Sequence, residues 1–173
     1  MSEYNIYADI ASRTGGDVYI GVVGPVRTGK STFIKRFMEQ AVIPNIQDAE
    51  DVGRAIDELP QSATGKTIMT TEPKFVPNAA VRVNIGNTTA NIRMIDCVGY
   101  LVEGALGAAE GDEPRMISTP WSEEKMPFER AAELGTEKVI KEHSTIAVVV
   151  TTDGSFTGIP AENYMPAEDR VIR

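Results

Sequence analysis

The chain has 173 residues, of which 42% are hydrophobic, so it can bury one ordinary core and is predicted to form a single domain. Its net charge of −8 argues against a sequence-independent nucleic-acid binder, which would carry a basic face. One cysteine excludes an internal disulfide framework, and a single histidine beside it makes a zinc site improbable. The N-terminus lacks a secretory signal and no apolar run reaches transmembrane length, so we expect a soluble cytoplasmic protein.

A helix and then a strand are predicted at the start of the chain. Residues 1–16 place Ile6 and Ile10 at helical spacing and end in two glycines, which indicates a short N-terminal helix packed against a sheet. Residues 17–23 are largely apolar and lack polar alternation, which is typical of a central parallel strand.

The pattern G-x-x-x-x-G-K-[ST], known as the P-loop or Walker A motif, follows directly at residues 24–31. Glycines at its first and sixth positions let the backbone approach a phosphate chain, because side chains would obstruct that approach. The lysine can reach the β- and γ-phosphates, the serine hydroxyl can ligate Mg²⁺, and the positive end of the next helix faces the anion. The residues predicted to bind nucleotide are Gly24, Pro25, Val26, Arg27, Thr28, Gly29, Lys30, Ser31 and Thr32.

A hydroxyl-rich segment of weak periodicity, residues 62–73, comes after two predicted helices at 33–41 and 47–59. A P-loop protein of the GTPase-like kind places switch I here, with one threonine that ligates Mg²⁺ and senses the γ-phosphate. Thr70 and Thr71 are the two candidates, and the sequence does not choose between them. An ordinary polar loop is the alternative interpretation.

A D-x-x-G motif stands at the end of the next predicted element. Residues 74–85 and 90–95 resemble two strands joined by a turn at Gly86-Asn87, which predicts an antiparallel β-hairpin. The second strand runs into Asp96, whose carboxylate would hold the water shell of Mg²⁺, and Gly99, whose N–H would contact the γ-phosphate.

Tyr100 occupies the position at which many GTPases place a glutamine that orients the attacking water. Hydrolysis is therefore expected to be slow or to use another group. Arg27 and Lys66 are cations whose positions suggest that they neutralise charge in the transition state.

The remaining chain is predicted to hold a long loop insertion at 101–126, a helix at 128–142, a buried parallel strand at 144–152 and a final helix from Pro160. The insertion is either a functional, mobile loop or a stable hairpin or docked lid. No N-K-x-D base-reading motif occurs. These elements predict an α/β fold, a P-loop NTPase of the GTPase-like (TRAFAC) type with a mostly parallel sheet and one antiparallel hairpin. We expect residues 1–173 to be one nucleotide-binding domain, truncated before its last strands, which would leave the strand at 144–152 as an unprotected edge of the sheet.

Longer stretches resemble one particular family. Residues 14–34, 64–77, 94–100 and 152–155 are similar to the stage IV sporulation protein A family, the spore-coat morphogenetic ATPases of endospore-forming bacteria. The resemblance implies a GTPase-like fold that uses Mg²⁺ and ATP, with hydrolysis driving self-assembly into a static polymer. It implies catalytic roles for Lys30, Thr70, Thr71 and Asp96, and magnesium ligation by Ser31, Thr70, Thr71 and Asp96.

The same resemblance implies a place in the cell and a set of partners. The polymer would form the basement layer of the spore coat in the mother-cell cytoplasm, on the surface of the forespore outer membrane. A small amphipathic protein would anchor it to that membrane, and other coat proteins would bind it.

Two other functions are compatible with the motifs. The first is a GTP-dependent molecular switch, against which Tyr100 and the missing N-K-x-D motif weigh. The second is a structural module that keeps nucleotide only as a folding cofactor.

Overall fold

The computed structural model describes residues 12, 14–61, 71–105, 109–110 and 113–173. Most of the predicted helix at 1–16, together with Lys66 and Thr70, lies outside the described residues. The strands are β1 (Asp17–Val23), β2 (Lys74–Ile85), β3 (Thr88–Asp96), β4 (Ala109–Glu110), β5 (Glu113–Pro114), β6 (Met116–Thr119), β7 (Ser122–Pro127) and β8 (Ile146–Val149). The α-helices are α1 (Lys30–Phe37), α2 (Ala49–Asp57), α3 (Phe128–Lys138) and α4 (Met165–Ile172). None of the helices in these ranges is long and apolar enough to cross a membrane.

Turns of other helical types extend or precede several of these helices. π-Helical turns continue α1 over Met38–Val42 and α3 over Val139–His143. Short 3-10 turns precede α2 at Ile43–Asn45 and α4 at Ala161–Asn163. The helix predicted over 128–142 is therefore continuous, with an α-helical part followed by a π-helical turn.

A four-stranded sheet in the order β2-β3-β1-β8 forms the centre of the described structure. β1 pairs in parallel with β3 and with β8, whereas β2 and β3 are antiparallel neighbours that turn at Gly86. The prediction of a mixed α/β fold with a mostly parallel sheet is confirmed. Because the carboxyl ends of β1, β3 and β8 lie along one edge, the loops that follow these strands meet there.

Helices cover both faces of this sheet. Neighbouring residues of a strand point to opposite faces, and the buried side chains accordingly form two clusters. α1 and α2 pack on the face that carries Val22 and Met94. α4 and the turn after α3 pack on the face that carries Val23 and Ile95. Burial of one side chain of this size stabilises the fold by about 1.5–3 kcal/mol.

The edge strand β8 departs from its prediction. It pairs in parallel with β1 as expected, but Ile146 and Val149 are 36% and 42% exposed, so the predicted burial is wrong. Apolar runs predict burial only when both faces and both edges of a strand are covered. Within the described ranges, only β1 pairs with β8, which leaves its other edge open.

The segment at 101–126 contains regular structure. β6 and β7 form an antiparallel hairpin that leads directly into α3, and the short strands β4 and β5 pair before it. At the tip of the β6–β7 hairpin, the Trp121 ring lies against α3 beside Gly135. Of the two interpretations of this insertion, the described residues therefore show a hairpin packed on a helix.

Candidate functional site

The loop at residues 24–29 connects β1 to α1 at the carboxyl edge of the sheet. Gly24 and Gly29 have φ angles of +143° and +93°, which side chains rarely tolerate. A Cβ on Gly24 would also collide with the Val150 carbonyl oxygen. Arg27 has a φ of +61° and is the non-glycine residue with positive φ within the described ranges. Such a conformation costs about 1–2 kcal/mol and is typical of sites that bind a ligand through the backbone.

Lys30 is buried at the first position of α1, with only 5% of its surface exposed. Its ammonium donates a hydrogen bond of 2.5 Å to the Pro25 carbonyl, which also accepts a hydrogen bond of 3.0 Å from the Thr28 hydroxyl. Burial lowers the pKa of Lys30, although nearby Cys97 and Asp96 act in the opposite direction. The loop therefore carries a poorly solvated cation, which an anionic ligand would stabilise.

Ser31 and Asp96 come together from the two motifs. The Ser31 hydroxyl donates to Asp96 Oδ2 at 2.5 Å, across 65 positions of the chain. Asp96 Oδ1 is buried and has no hydrogen-bond partner of good geometry among the described residues, although the nearby Cys97 N–H acts to lower the pKa of the carboxylate. Burial raises the pKa of Asp96, and the Ser31 hydrogen bond and the Lys30 charge oppose that rise.

This pair fits a magnesium ion. An unpaired buried carboxylate oxygen beside a hydroxyl oxygen supplies the hard ligands that Mg²⁺ prefers. Mg²⁺ usually takes only one or two protein groups and completes its octahedron with water and substrate phosphates. Ser31 and Asp96 would hold such an ion, directly or through water.

Gly99 and Tyr100 lie directly against the phosphate-binding loop. Gly99 has a φ of +93°, and a Cβ there would collide with the Gly24 carbonyl oxygen and come within 2.8 Å of Lys30 Nζ. The Val26 N–H donates a hydrogen bond of 2.8 Å to the Tyr100 carbonyl. The D-x-x-G motif thus extends the pairing of β3 with β1 into the loop itself.

The Tyr100 side chain points into the core rather than toward the loop's anion-binding backbone. It is 3% exposed and packs with Val26, Val139 and Tyr164. The Arg170 guanidinium lies 4.7 Å from the centre of its ring. The residue in the glutamine position therefore contacts the loop through its backbone carbonyl, and its side chain belongs to the hydrophobic core that also contains Val26.

Three other residues predicted to bind nucleotide, Val26, Thr32 and Arg27, differ in how far they are buried. Val26 is 2% exposed, so its side chain belongs to the core. Thr32 is exposed on the first turn of α1. The Arg27 side chain makes no hydrogen bond or ion pair with the part of the chain that the structure describes.

Of the two candidate sensor threonines, Thr71 is the one within the described residues. It is 3% exposed, and its carbonyl approaches α3, where a Cβ on Gly135 would lie 2.6 Å from the oxygen. This close approach explains a glycine within α3. The described contact places the Thr71 carbonyl against α3, and the sensor roles of Thr71 and Thr70 stay predictions.

Glu133 and Arg170 are residues that the sequence did not single out. Arg170 Nη1 of α4 lies 2.5 Å from Glu133 Oε1 of α3, and Arg130 Nη1 lies 3.1 Å from Glu133 Oε2. Burial favours the neutral acid, but the hydrogen bonds from Arg170 and Arg130 outweigh it and lower the pKa of Glu133. The Glu133–Arg170 ion pair joins residues that are distant in sequence, so no local sequence pattern predicts it. It is seen only once the fold has brought α4 next to α3.

Replacing Glu133 by glutamine should lower the free energy of unfolding by about 1–2 kcal/mol near neutral pH, because it removes charged hydrogen bonds at a buried position. The pKa of Glu133 is below its ordinary 4.5 in the folded protein, so this stabilisation is present above pH 4.5 and is lost as the pH falls through the lower folded value. Urea unfolding of both proteins over an acidic pH series tests this.

Glu142→Gln is the matched control, because the Glu142 side chain is 55% exposed and its ion pair with Lys138 should contribute little. A difference between wild type and Glu133→Gln that stays constant down to strongly acidic pH would contradict the assignment.

A comparison of the chain with known protein families gives a match over its whole length. A family model described as "Stage IV sporulation protein A, ATPase domain" matches residues 1–173. The chain belongs to the stage IV sporulation protein A family.

Relatives in this family match over nearly the whole chain. The chain is 62% identical to stage IV sporulation protein A of Clostridioides difficile (strain 630) over 98% of its length. It is also 62% identical, over 99% of its length, to the proteins of that name from Bacillus anthracis and Bacillus subtilis (strain 168). The chain spans 35% of the length of each of these relatives. No solved structure matches it significantly.

Membership in the stage IV sporulation protein A family confirms the resemblance seen in the sequence. The matching model is that of an ATPase domain, which points to a nucleotide hydrolase and to a P-loop NTPase architecture. A hydrolase of this kind requires a phosphate-binding loop, a lysine and a D-x-x-G motif. The loop at 24–29, buried Lys30 and the motif at 96–99 match these parts.

Proposed function

We propose that this chain is a Mg²⁺-dependent ATPase of the GTPase-like (TRAFAC) type, whose hydrolysis cycle drives self-assembly of a spore-coat basement layer. The observation that carries the enzymatic part is the meeting of the two motifs. Ser31 is hydrogen-bonded to Asp96, and Asp96 Oδ1 is left open beside Lys30. A merely structural loop would have no use for a buried carboxylate oxygen without a donor.

Each group of this chain has a role in the proposed reaction. The backbone N–H groups of the loop and the N-terminus of α1 bind the phosphates, and Lys30 neutralises charge on the β- and γ-phosphates. A magnesium ion, when bound by Ser31 and Asp96, would neutralise negative charge on the phosphate oxygens. The Gly99 N–H senses the γ-phosphate because the absence of a side chain lets its backbone lie against the loop.

Hydrolysis by this site should be slow without a further group. The Tyr100 phenol is buried under Arg170, so it does not orient the attacking water. Arg27 projects from the loop in a left-handed conformation without a partner in the described structure, and we assign it the neutralisation of transition-state charge. Normal turnover in Arg27→Ala would remove that role.

The cellular part of the proposal rests on the family. Relatives are named for sporulation, which supports a role in that process. We further propose, from the sequence resemblance alone, that the protein works in the mother cell at the forespore outer membrane, with a small amphipathic anchor protein and other coat proteins as partners. Because this chain spans 35% of the length of those relatives, we propose assembly and partner binding for the full-length relatives. In a full-length relative, the substitution that matches Lys30→Ala should prevent assembly, as followed by sedimentation. Equal assembly of the variant would refute the link to hydrolysis.

The enzymatic part is tested by phosphate release and nucleotide competition on this chain. We expect release from ATP that stops when EDTA removes Mg²⁺, binding that GTP does not displace, and loss of the Mg²⁺ effect in Asp96→Asn. Preference for GTP would instead support a GTP-dependent switch. Nucleotide binding without single-turnover cleavage would support a structural module with nucleotide as a folding cofactor.

A further inference from the structure

Three segments of the chain pack together at Gly135, in the second half of α3. A Cβ at this position would lie 2.6 Å from the Thr71 carbonyl oxygen and 3.7 Å from both Pro73 Cδ and Trp121 Cη2. Real Cβ atoms do not come as close as 2.6 Å to another heavy atom, so a side chain here would displace the Thr71 backbone first. Glycine destabilises a helix relative to alanine, and this close approach is the reason for a glycine here.

Gly135 is also close to the D-x-x-G motif. Thr136, the next residue of α3, is fully buried and contacts the Cys97 side chain. Cys97 directly follows Asp96, the carboxylate proposed to hold magnesium. One turn of α3 therefore contacts both the Thr71 backbone and the segment that carries Asp96.

The pairing of β2 with β3 limits how far Thr71 can be from the same carboxylate. Lys74, the first residue of β2, is the register partner of Asp96 at the end of β3. Thr71 precedes Lys74 by three residues, which span about 10 Å when fully extended. The Thr71 backbone therefore lies within reach of the edge of the sheet at which Ser31 and Asp96 meet.

Trp121 closes the contact at Gly135 from the tip of the β6–β7 hairpin. It is the only tryptophan of the chain, and its ring reaches the same point of α3 as the Thr71 carbonyl. The indole Nε1 and the Thr119 Oγ1 are buried without a hydrogen-bond partner among the described residues. Packing of the ring, and not a hydrogen bond of the indole, therefore holds the hairpin tip on α3.

We propose that Gly135 and Trp121 form a seat for the Thr71 backbone and that Gly135 is a positioning residue for ATP hydrolysis. This proposal rests on the proposed ATPase function and on the predicted role of Thr71 as a Mg²⁺ ligand and γ-phosphate sensor. Groups that act on a reacting phosphate must be held in place, and a misplacement of about 1 Å can cost on the order of 100-fold in rate. The seat meets this need because the Thr71 carbonyl already lies against α3 and cannot move toward the helix.

The seat should matter for ATP and not for ADP. A threonine that senses the γ-phosphate has no ligand when that phosphate is absent. Displacement of the Thr71 backbone should therefore weaken binding of an ATP analogue and slow hydrolysis, while ADP binds as before. A residue that only supports the fold would affect both nucleotides equally.

Gly135→Ala is the decisive variant, and Gly53→Ala is its matched control. Both glycines lie inside α-helices, so alanine raises the helix propensity of α3 and of α2 alike. A Cβ on Gly53 would meet no atom within 4 Å, whereas one on Gly135 would displace Thr71. A difference between the two variants therefore reports on the contact with Thr71 and not on the helix.

Three measurements compare these variants with wild type. Gly135→Ala should release phosphate from ATP about tenfold more slowly. In calorimetric titrations it should bind the Mg²⁺ complex of a non-hydrolysable ATP analogue more weakly by a similar factor, and Mg²⁺–ADP as tightly as wild type does. Its tryptophan emission should be unchanged, because a contact of 3.7 Å between the new methyl group and Trp121 leaves the ring in place. Gly53→Ala should match wild type in all three measurements.

Substitutions of Trp121 test the contribution of the hairpin to the seat. Trp121→Ala should reproduce the slower ATP hydrolysis and the unchanged ADP binding, because it removes the ring that closes the seat. Trp121→Phe should behave as wild type, since an aromatic ring remains and the indole N–H has no hydrogen-bond partner among the described residues to lose.

These outcomes separate this proposal from the proposed function. If wild type hydrolyses no ATP, the proposed function fails, and a crystal structure of Gly135→Ala decides whether the seat exists, because a Thr71 carbonyl in its wild-type place overturns it. If wild type hydrolyses ATP, turnover of Gly135→Ala at the rate of Gly53→Ala overturns the proposal, and so does equal weakening of ATP-analogue and ADP binding. If Gly135→Ala does not fold, Trp121→Ala and Trp121→Phe decide by the same comparison of the two nucleotides.

Discussion

Replacing Lys30 by methionine should abolish ATP turnover while leaving the nucleotide-free protein no less stable than wild type. The ammonium is the cation placed to neutralise the β- and γ-phosphates, and loss of one such group costs about 10²–10³-fold in rate. In the absence of nucleotide Lys30 is buried, and its pKa is lowered because burial penalises the charged form. Methionine fills a similar volume without that penalty.

Phosphate release measures the expected loss of ATP turnover, and thermal unfolding without nucleotide measures the stability of the Lys30→Met variant. Lys35→Met is the control, because Lys35 lies on the same helix but outside the loop. Residual turnover near the wild-type rate would mean that Lys30 is a structural residue. A marked loss of thermal stability would mean that its hydrogen bond to Pro25 supports the loop by more than its desolvation costs.

Replacing Gly99 by alanine should lower the free energy of unfolding by about 3 kcal/mol and abolish nucleotide binding. A left-handed φ of +93° costs an L-residue about 1–2 kcal/mol. The added methyl group would also overlap the Gly24 carbonyl and crowd Lys30 Nζ at 2.8 Å, so the loop and the end of β3 must separate. That separation would displace the donors that face the phosphates.

Gly104→Ala separates these two costs. Gly104 has a similar φ of +88°, but a Cβ there would meet no atom within 4 Å. The free energy of unfolding of this control should therefore fall by only about 1–2 kcal/mol, and the variant should still bind nucleotide. Equal losses in the two variants, measured by urea unfolding, would show that Gly99 matters for its backbone conformation alone.

Several features of the candidate site lower the stability of the folded protein. Lys30 is buried at the loop, the buried Oδ1 atom of half-buried Asp96 has no hydrogen-bond partner among the described residues, and Arg27 holds an unfavourable φ. Such features persist when surrounding packing imposes them, and they are typical of sites that a ligand completes.

The amino-acid sequence by itself determined the parts of this protein that depend on neighbours along the chain. The G-x-x-x-x-G-K-[ST] pattern at 24–31 and the D-x-x-G pattern at 96–99 are local, and their spacing is the one that predicts backbone contact with phosphate. The mostly parallel sheet followed from apolar runs and turn residues, and the family followed from longer stretches of identity. The catalytic and magnesium roles of Lys30, Ser31, Asp96 and the two threonines stay predictions, and the experiments above test those of Lys30 and Asp96.

Only the tertiary structure decided the contacts made across the sheet. An apolar run at 146–149 looks the same whether or not a neighbour covers it, so the exposure of β8 depends on what lies beside it. Nothing in the sequence pattern distinguishes Glu133 and Arg170 from ordinary surface residues, and the fold of α3 and α4 brings them into an ion pair and places Arg170 over the Tyr100 ring. Sequence patterns record which face of an element is apolar, whereas the partner that meets that face is set by the packing of distant segments.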